Sequence, residues 1–240
     1  MSRSKPSNNE PHPCERWFEW RGSEGILRWY DKEAKENVPV KLPFKCVLLD
    51  RTATVRGYNQ QHGQLYANEV RDTRSDPFIV KFFSGGNPIA SGLWSDIKDR
   101  VVVQKGSFAL NCYVAFKDGE SLRLGALALT GCSLGPWFEF EKMNRKHLYD
   151  KAVVVRAGER TTTGSIKFTP PSFELADLSE ASNTQATQLD KGILQPYFDG
   201  YFSRTTTERA VSRDHDADDE QPPPDEPRPD DIIDDDDIPF

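Results

Sequence analysis

Two short stretches hold most of the residues that could bind a ligand. In RGYNQQHGQLYANEVR, Arg56 to Arg71, read as a glycine-bearing loop, the tyrosines Tyr58 and Tyr66 lie between two arginines. Aromatic faces stack on nucleic-acid bases for roughly 1–3 kcal/mol each, while arginine and lysine track the phosphates. KMNRKHLYDK gathers Lys142, Arg145, Lys146 and Lys151. Arg156 and Arg160 lie at or within an expected loop, GERTTTG (158–164), and Lys167 follows on the return strand. With Lys81 and Tyr113, the candidate contacts to a single strand are Arg56, Tyr58, Tyr66, Arg71, Lys81, Tyr113, Arg145, Lys146, Arg156, Arg160 and Lys167. Every base has a π-face, so such a groove selects single strands and tolerates any sequence. Among the other aromatics, Phe44, Phe82, Phe108 and Phe168 read as core, and Trp17, Trp20 and Trp29 as packing an N-terminal strand onto the body.

Catalytic spacing is missing from the sequence. It has no Walker loop, no G-x-S-x-G, no H-E-x-x-H and no G-x-G-x-x-G after a strand. The four cysteines, Cys14, Cys46, Cys112 and Cys132, form no C-x-x-C pair and have no histidine at ligand spacing. We therefore expect a binding protein and not an enzyme, with no cofactor, no metal, and thiols kept reduced in the cytoplasm.

The C-terminal DDDDIPF sets four aspartates, Asp234, Asp235, Asp236 and Asp237, before Ile238, Pro239 and Phe240. A run of carboxylates on one segment lacks the rigid, multi-element geometry of an active metal site. A terminal aromatic suits a different task. Its ring and free carboxylate fit an apolar pocket with a basic rim on a partner protein, with the aspartates steering the approach.

Charge is divided along the chain. The formal net charge is −7, but residues 214–240 hold 13 acidic residues and one basic residue, so residues 1–213 carry +5. A mildly basic body joined to a polyanionic tail points to a polyanion-binding body, and the tail can compete for that body's own groove. Hydrophobic residues make up 36% of the chain, below the usual ~45–50%, a range that also counts Gly. Residues 1–15 and 205–240 are expected to be disordered, since they have too little apolar surface to offset chain entropy. The N-terminus has no apolar run of the kind a secretory signal needs. The longest uncharged run, Leu124 to Phe138, is 15 residues, short of the ~20 that cross a bilayer. The expectation is a soluble, cytoplasmic protein.

Between Trp17 and about Thr169 the pattern is β. Phe108, Leu110, Cys112, Val114 and Phe116 alternate with Ala109, Asn111, Tyr113, Ala115 and Lys117, the period of a half-buried strand. Asp118-Gly119 then predicts a two-residue hairpin turn, with residues 120–129 returning antiparallel. Further strands are expected at 44–56, 78–83, 152–157 and 165–169. Some five twisted strands with little helix between them predict a small closed barrel. Pro136 could open a short helix through WFEFEKMNRK, or those residues could continue a strand. Leu189, Ile193, Tyr197 and Tyr201 at four-residue spacing predict helix over 184–204, with Asn183 as a possible cap. Pro196 costs ~3 kcal/mol inside a continuous helix, which predicts a kink or two short helices.

DDDDIPF resembles the C-terminal tip of bacterial single-stranded DNA-binding proteins, which recruits replication and repair enzymes. The phrases LPFKCVLLDRTATVRGY, NEVRDT, LGPWFEFEK and VPVKLPF resemble a group of bacteriophage single-stranded DNA-binding proteins with an OB-fold. This body resemblance covers roughly residues 17–204. Together they imply a phage replication, recombination or repair protein with an OB-fold domain over 16–204. It would coat single-stranded DNA and recruit phage or host enzymes through residues 234–240, in the host cytoplasm. The residues themselves leave two alternatives open: an RNA-binding or strand-annealing protein on the same fold, or an adaptor that binds no nucleic acid.

Overall fold

The computed structural model describes residues 12–204 and Thr206. The acidic segment 214–240, with Asp234 to Phe240, lies outside the described residues, as do 1–11.

The chain runs β1 (Arg16–Arg21), β2 (Ile26–Asp31), β3 (Glu36–Val40), β4 (Phe44–Asn59), β5 (Gly63–Ala67), β6 (Phe78–Phe82), β7 (Ala90–Gly92), α1 (Trp94–Val103), β8 (Gly106–Asp118), β9 (Ser121–Thr130), α2 (Leu134–Asn144), β10 (Ala152–Ala157), β11 (Thr161–Thr163), β12 (Ile166–Phe168), β13 (Pro171–Ala176), α3 (Glu180–Leu189) and α4 (Gln195–Phe202). The protein is mainly β. Eleven strands form one sheet, in the order β3-β2-β1-β9-β8-β4-β5-β6-β7, with β10 also joined to β4 and β13 joined to β10. The sheet is mixed, because β1 and β9 are parallel while their neighbours are antiparallel. It is larger than the expected five strands and does not close into a barrel. β11 and β12 form a separate hairpin.

The alternation along β8 divides the sheet into two faces. Phe108, Leu110, Cys112, Val114 and Phe116 enter the main core, with Ala53 and Val55 of β4, Leu65 of β5, Phe78 and Val80 of β6 and Leu127 and Leu129 of β9. Trp94, Ile97 and Val101 of α1 and Trp137 and Phe140 of α2 close that core from the same side. A bulge lies between Leu48 and Asp50 of β4. One extra residue there shifts the side-chain parity. Before the bulge Phe44, Cys46 and Leu48 point into the core, and after it Ala53 and Val55 do.

The opposite face is polar and aromatic in its outer half and covered by helix in the other. Leu194, Phe198 and Tyr201 pack on Tyr113, Leu124 and Ala126, and Ala186 on Val47 and Ala115. Pro196 is the second residue of α4, which follows directly on a π-helical turn at Asp190–Leu194 that widens the helical run between α3 and the proline. Two short α-helices joined through that π-helical turn agree with the interruption that the proline predicted. The cap is Ser179, whose side chain accepts from the Ser182 N–H, rather than Asn183.

Other expectations shift locally. Arg56 to Arg71 is not a loop, since β4 runs on to Asn59 and turns into β5. Gly119 and Glu120 make the β8–β9 turn, one position later than expected, with Gly119 at φ +63°. GERTTTG contributes β11. Pro136 is the third residue of α2, which follows a short 3-10 turn at Gly131–Ser133. Residues 12–15 are ordered against the sheet, with Glu15 N–H donating to Leu124 O at 2.8 Å.

Candidate nucleic-acid interface

Cross-strand register assembles the outer half of the polar face. Arg56 of β4 pairs with Tyr66 of β5 and, on its other side, with Ser107 of β8. Tyr66 in turn pairs with Lys81 of β6. One row across four strands therefore reads Ser107, Arg56, Tyr66, Lys81. The next row outward, two residues or ~6.7 Å further along each strand, is Tyr58, Gln64 and Phe83. Tyr58 pairs with Gln64, and the Phe83 N–H donates to Gln64 O at 2.8 Å, which continues the β5–β6 ladder. Tyr58 is 36% exposed and Phe83 38%. Close strand approach beside Tyr58 depends on Gly57, where a Cβ would lie 2.2 Å from Lys105 O.

A buried carboxylate anchors the inner half. Glu69 is 2% exposed. It accepts from Thr52 Oγ1 at 2.7 Å, Asn111 Nδ2 at 2.6 Å and Tyr113 OH at 2.7 Å. Its own backbone N–H donates to Tyr201 OH at 2.7 Å. Burying a polar group is tolerable when it is so hydrogen-bonded, and here the bonds tie β4, β8 and α4 together. Arg56 extends the network outward, donating to Asn111 Oδ1 at 3.0 Å with its guanidinium 4.8 Å from the Trp17 ring. His12 stacks 5.8 Å from Tyr113 and lies against Trp17 and Tyr197.

Arg56, Tyr58, Tyr66 and Lys81 thus come together. Tyr66, however, is only 8% exposed, and its hydroxyl is buried with no hydrogen-bond partner among the described residues. Tyr113 shares this face but is fully buried, with Phe198 edge-on at 4.9 Å and its hydroxyl on Glu69, so it is no open stacking platform. Arg71 pairs with Asp50 at 2.6 Å and lies 5.0 Å from both Phe198 and Phe202, which makes it a fastener for α4. Burial holds the Asp50 carboxyl above its ordinary range despite that arginine. Asp190 is raised as well, first by burial and against its hydrogen bond from Gln195.

The other basic candidates lie elsewhere. Arg145 and Lys146 are exposed just past the end of α2, which packs against the core face. Arg156 pairs with Glu174 at 2.7 Å on β10, the strand that borders β4 at Phe44–Val47, the far end from Tyr58. Arg160 is exposed beside β11, and Lys167 sits on β12 opposite Thr162.

Sequence reasoning named Trp17 only as packing for an N-terminal strand, which it is, and missed its ring beside Arg56 as well as Gln64, Phe83 and the Glu69 network. Edge pairing decides which strands are neighbours, and no local pattern reveals that β6 lies beside β5. Among the described residues, no group of three or more His, Cys, Asp or Glu is placed to hold a metal ion, and no helix is long and apolar enough to cross a membrane. Compared with family models, with curated proteins and with solved structures, the chain matches none.

Proposed function

We propose that this chain binds single-stranded DNA without strong sequence preference and without catalysis, on the outer half of the polar sheet face. One observation carries the proposal: Arg56, Tyr66 and Lys81 lie in register across β4, β5 and β6, next to the exposed Tyr58. Cations spaced across a sheet beside accessible rings offer phosphate and base contacts together. Duplex DNA buries its base faces in the stack and so cannot use those rings. Residues 234–240 recruit replication or repair enzymes in this proposal, from a chain that leaves the described structure just after α4.

An OB-type core is part of the same proposal. β4, bulged and long, is lined by β8 on one edge and by β10 and then β5 on the other. The aromatic trio Phe18, Phe44 and Phe116 draws β1, β4 and β8 inward. Trp20 Nε1 donates to Thr169 O and Thr169 N–H donates to Gly22 O, at 2.7 and 2.8 Å, bringing the β1–β2 turn to the β12–β13 link. These contacts favour a curled, partly open sheet over a flat one.

The test is a fluorescence titration of the full chain with labelled oligothymidylate, its RNA counterpart and a duplex, each at two salt concentrations. Salt-sensitive binding with single-stranded DNA preferred supports the proposal. Binding to none of the three ends it.

A further inference from the structure

The row Tyr58, Gln64, Phe83 has a geometry of its own. Adjacent strands lie ~4.8 Å apart, so residues two strands apart are separated by about 10 Å. Phe83 lies just past β6, and its N–H bond to Gln64 O carries the ladder on, so ideal spacing sets Tyr58 and Phe83 two strands apart on one face with Gln64 between them. Two aromatic rings that hold a planar ring between them need about 7 Å, twice the ~3.4 Å stacking distance, which this backbone spacing allows. Phe83 is braced from below, edge-on to Tyr66 at 6.4 Å. Exposed rings of this size at the end of a sheet are not needed for its core, since Leu65 and Val80 already fill the opposite face.

We propose that Tyr58 and Phe83 clamp a single unpaired nucleobase, with the Gln64 amide meeting its edge. The clamp rests on the single-strand reading above and gives it a defined subsite. One row inward, about 6.7 Å along the strands, Arg56 and Lys81 flank Tyr66, a position suited to the phosphate of the same nucleotide. The buried Tyr66 hydroxyl, which lacks a partner among the described residues, lies within that row. An amide offers both a donor and an acceptor, so Gln64 meets any of the four bases, and the clamp selects unpaired bases over paired ones without selecting a sequence.

The experiment uses the full chain and a 15-nucleotide single strand carrying 2-aminopurine at its centre. Tyr58→Ala and Phe83→Ala should each weaken binding about fivefold or more and relieve the quenching of the probe base. Neither should change the salt slope, because the phosphate contacts remain. Lys81→Gln should do the opposite, lowering the salt slope while leaving the probe quenched in the complex. Phe83→Leu keeps apolar bulk without a π-face and guards against a folding artefact. It should lose affinity as the alanine variant does, while Phe83→Tyr restores it. If Phe83→Leu binds like the parent, or if both alanine variants retain full affinity while Lys81→Gln weakens binding, the clamp is wrong and the single-strand face stands. A parent chain that binds no single strand removes both.

Discussion

Tyr58 and Tyr66 sit in the same short hairpin but have opposite fates under substitution. Tyr58 is accessible, so Tyr58→Ala should cost about 1–3 kcal/mol of single-strand affinity and leave the melting temperature almost unchanged. Tyr66 is packed under Phe83 and between Arg56 and Lys81, and truncating a buried aromatic costs ~3–5 kcal/mol of stability. Tyr66→Ala should therefore lower the denaturant midpoint markedly. Tyr66→Phe should be neutral or slightly stabilising in the free protein, because a buried hydroxyl without a partner costs about 1–3 kcal/mol. Paired denaturation and binding curves for the three variants check this. The residue types of the site were legible in the sequence, because arginine and tyrosine alternating around glycine is an informative composition. Their burial was not. Even-numbered positions 56, 58, 64 and 66 share one face only once the segment is known to be a hairpin, and the Asn59–Gly63 pairing that makes it one carries no strong turn signature. Glu69 was harder still, since nothing local distinguishes a carboxylate that will be buried among Thr52, Asn111 and Tyr113 from one that stays in water.

Among the elements, β8 was the most readable because its alternation is long and its apolar set unbroken. Short strands such as β3 and β7 show too few positions for a period to emerge, which is why five strands were expected where the sheet has eleven. The interruption between α3 and α4 was readable from Pro196, but the attachment of these helices was not, because part of it runs through Tyr201 to a backbone N–H on Glu69. Tyr201→Phe should leave that buried N–H unsatisfied and cost about 1–3 kcal/mol, with hydrogen exchange accelerated in α4 more than in β8. Equal protection of α4 in parent and variant would refute the attachment. The β4–β8 core makes a separate prediction in alkali. Burial pushes the Cys46 thiol up to about 12 from an ordinary 9.0, and Cys112 beneath the same sheet is raised too, again by burial first. An unfolded thiol ionises near 9 while the folded one keeps its proton. The unfolded state is therefore favoured increasingly as pH rises from about 9 towards 12, and below 9 this source of instability is absent. At pH 11 the Cys46 contribution amounts to roughly 2–3 kcal/mol. Cys46→Ala should be about 1 kcal/mol less stable than the parent at pH 8, yet lose less stability between pH 9 and 11. Denaturant midpoints across that range decide it.

At the scale of the whole molecule, charge division makes the last prediction, and its two parts separate by their response to salt. Residues 214–240 carry 13 acidic residues against one basic, and under the proposed function they compete with DNA for cations such as Arg56 and Lys81. Competition of that kind is spread over many carboxylates and is screened once the Debye length falls below ~10 Å, near 0.1 M salt. Deleting 214–240 should tighten single-strand binding most at low salt, and the gain should shrink as salt is added. The underlying affinity should itself fall with a slope near −0.7 per phosphate neutralised, in log–log form. Phe240 acts differently. Burial of one phenylalanine ring is worth about 1.5–3 kcal/mol and depends little on ionic strength. Removing Phe240 alone leaves Asp234 to Asp237 in place, so DNA affinity should scarcely move at any salt. Capture of a partner enzyme should nevertheless be lost, because its pocket loses both the ring and the carboxylate at the correct position. Titrations of the parent, the 214–240 deletion and the Phe240 deletion at two salt concentrations test the first part. Pull-downs from host lysate with the parent and the Phe240 deletion test the second. If the truncated chain binds DNA no more tightly at low salt, the tail does not compete for the groove. Identical partner profiles for the parent and the Phe240 deletion would leave the terminal ring without a recruiting role.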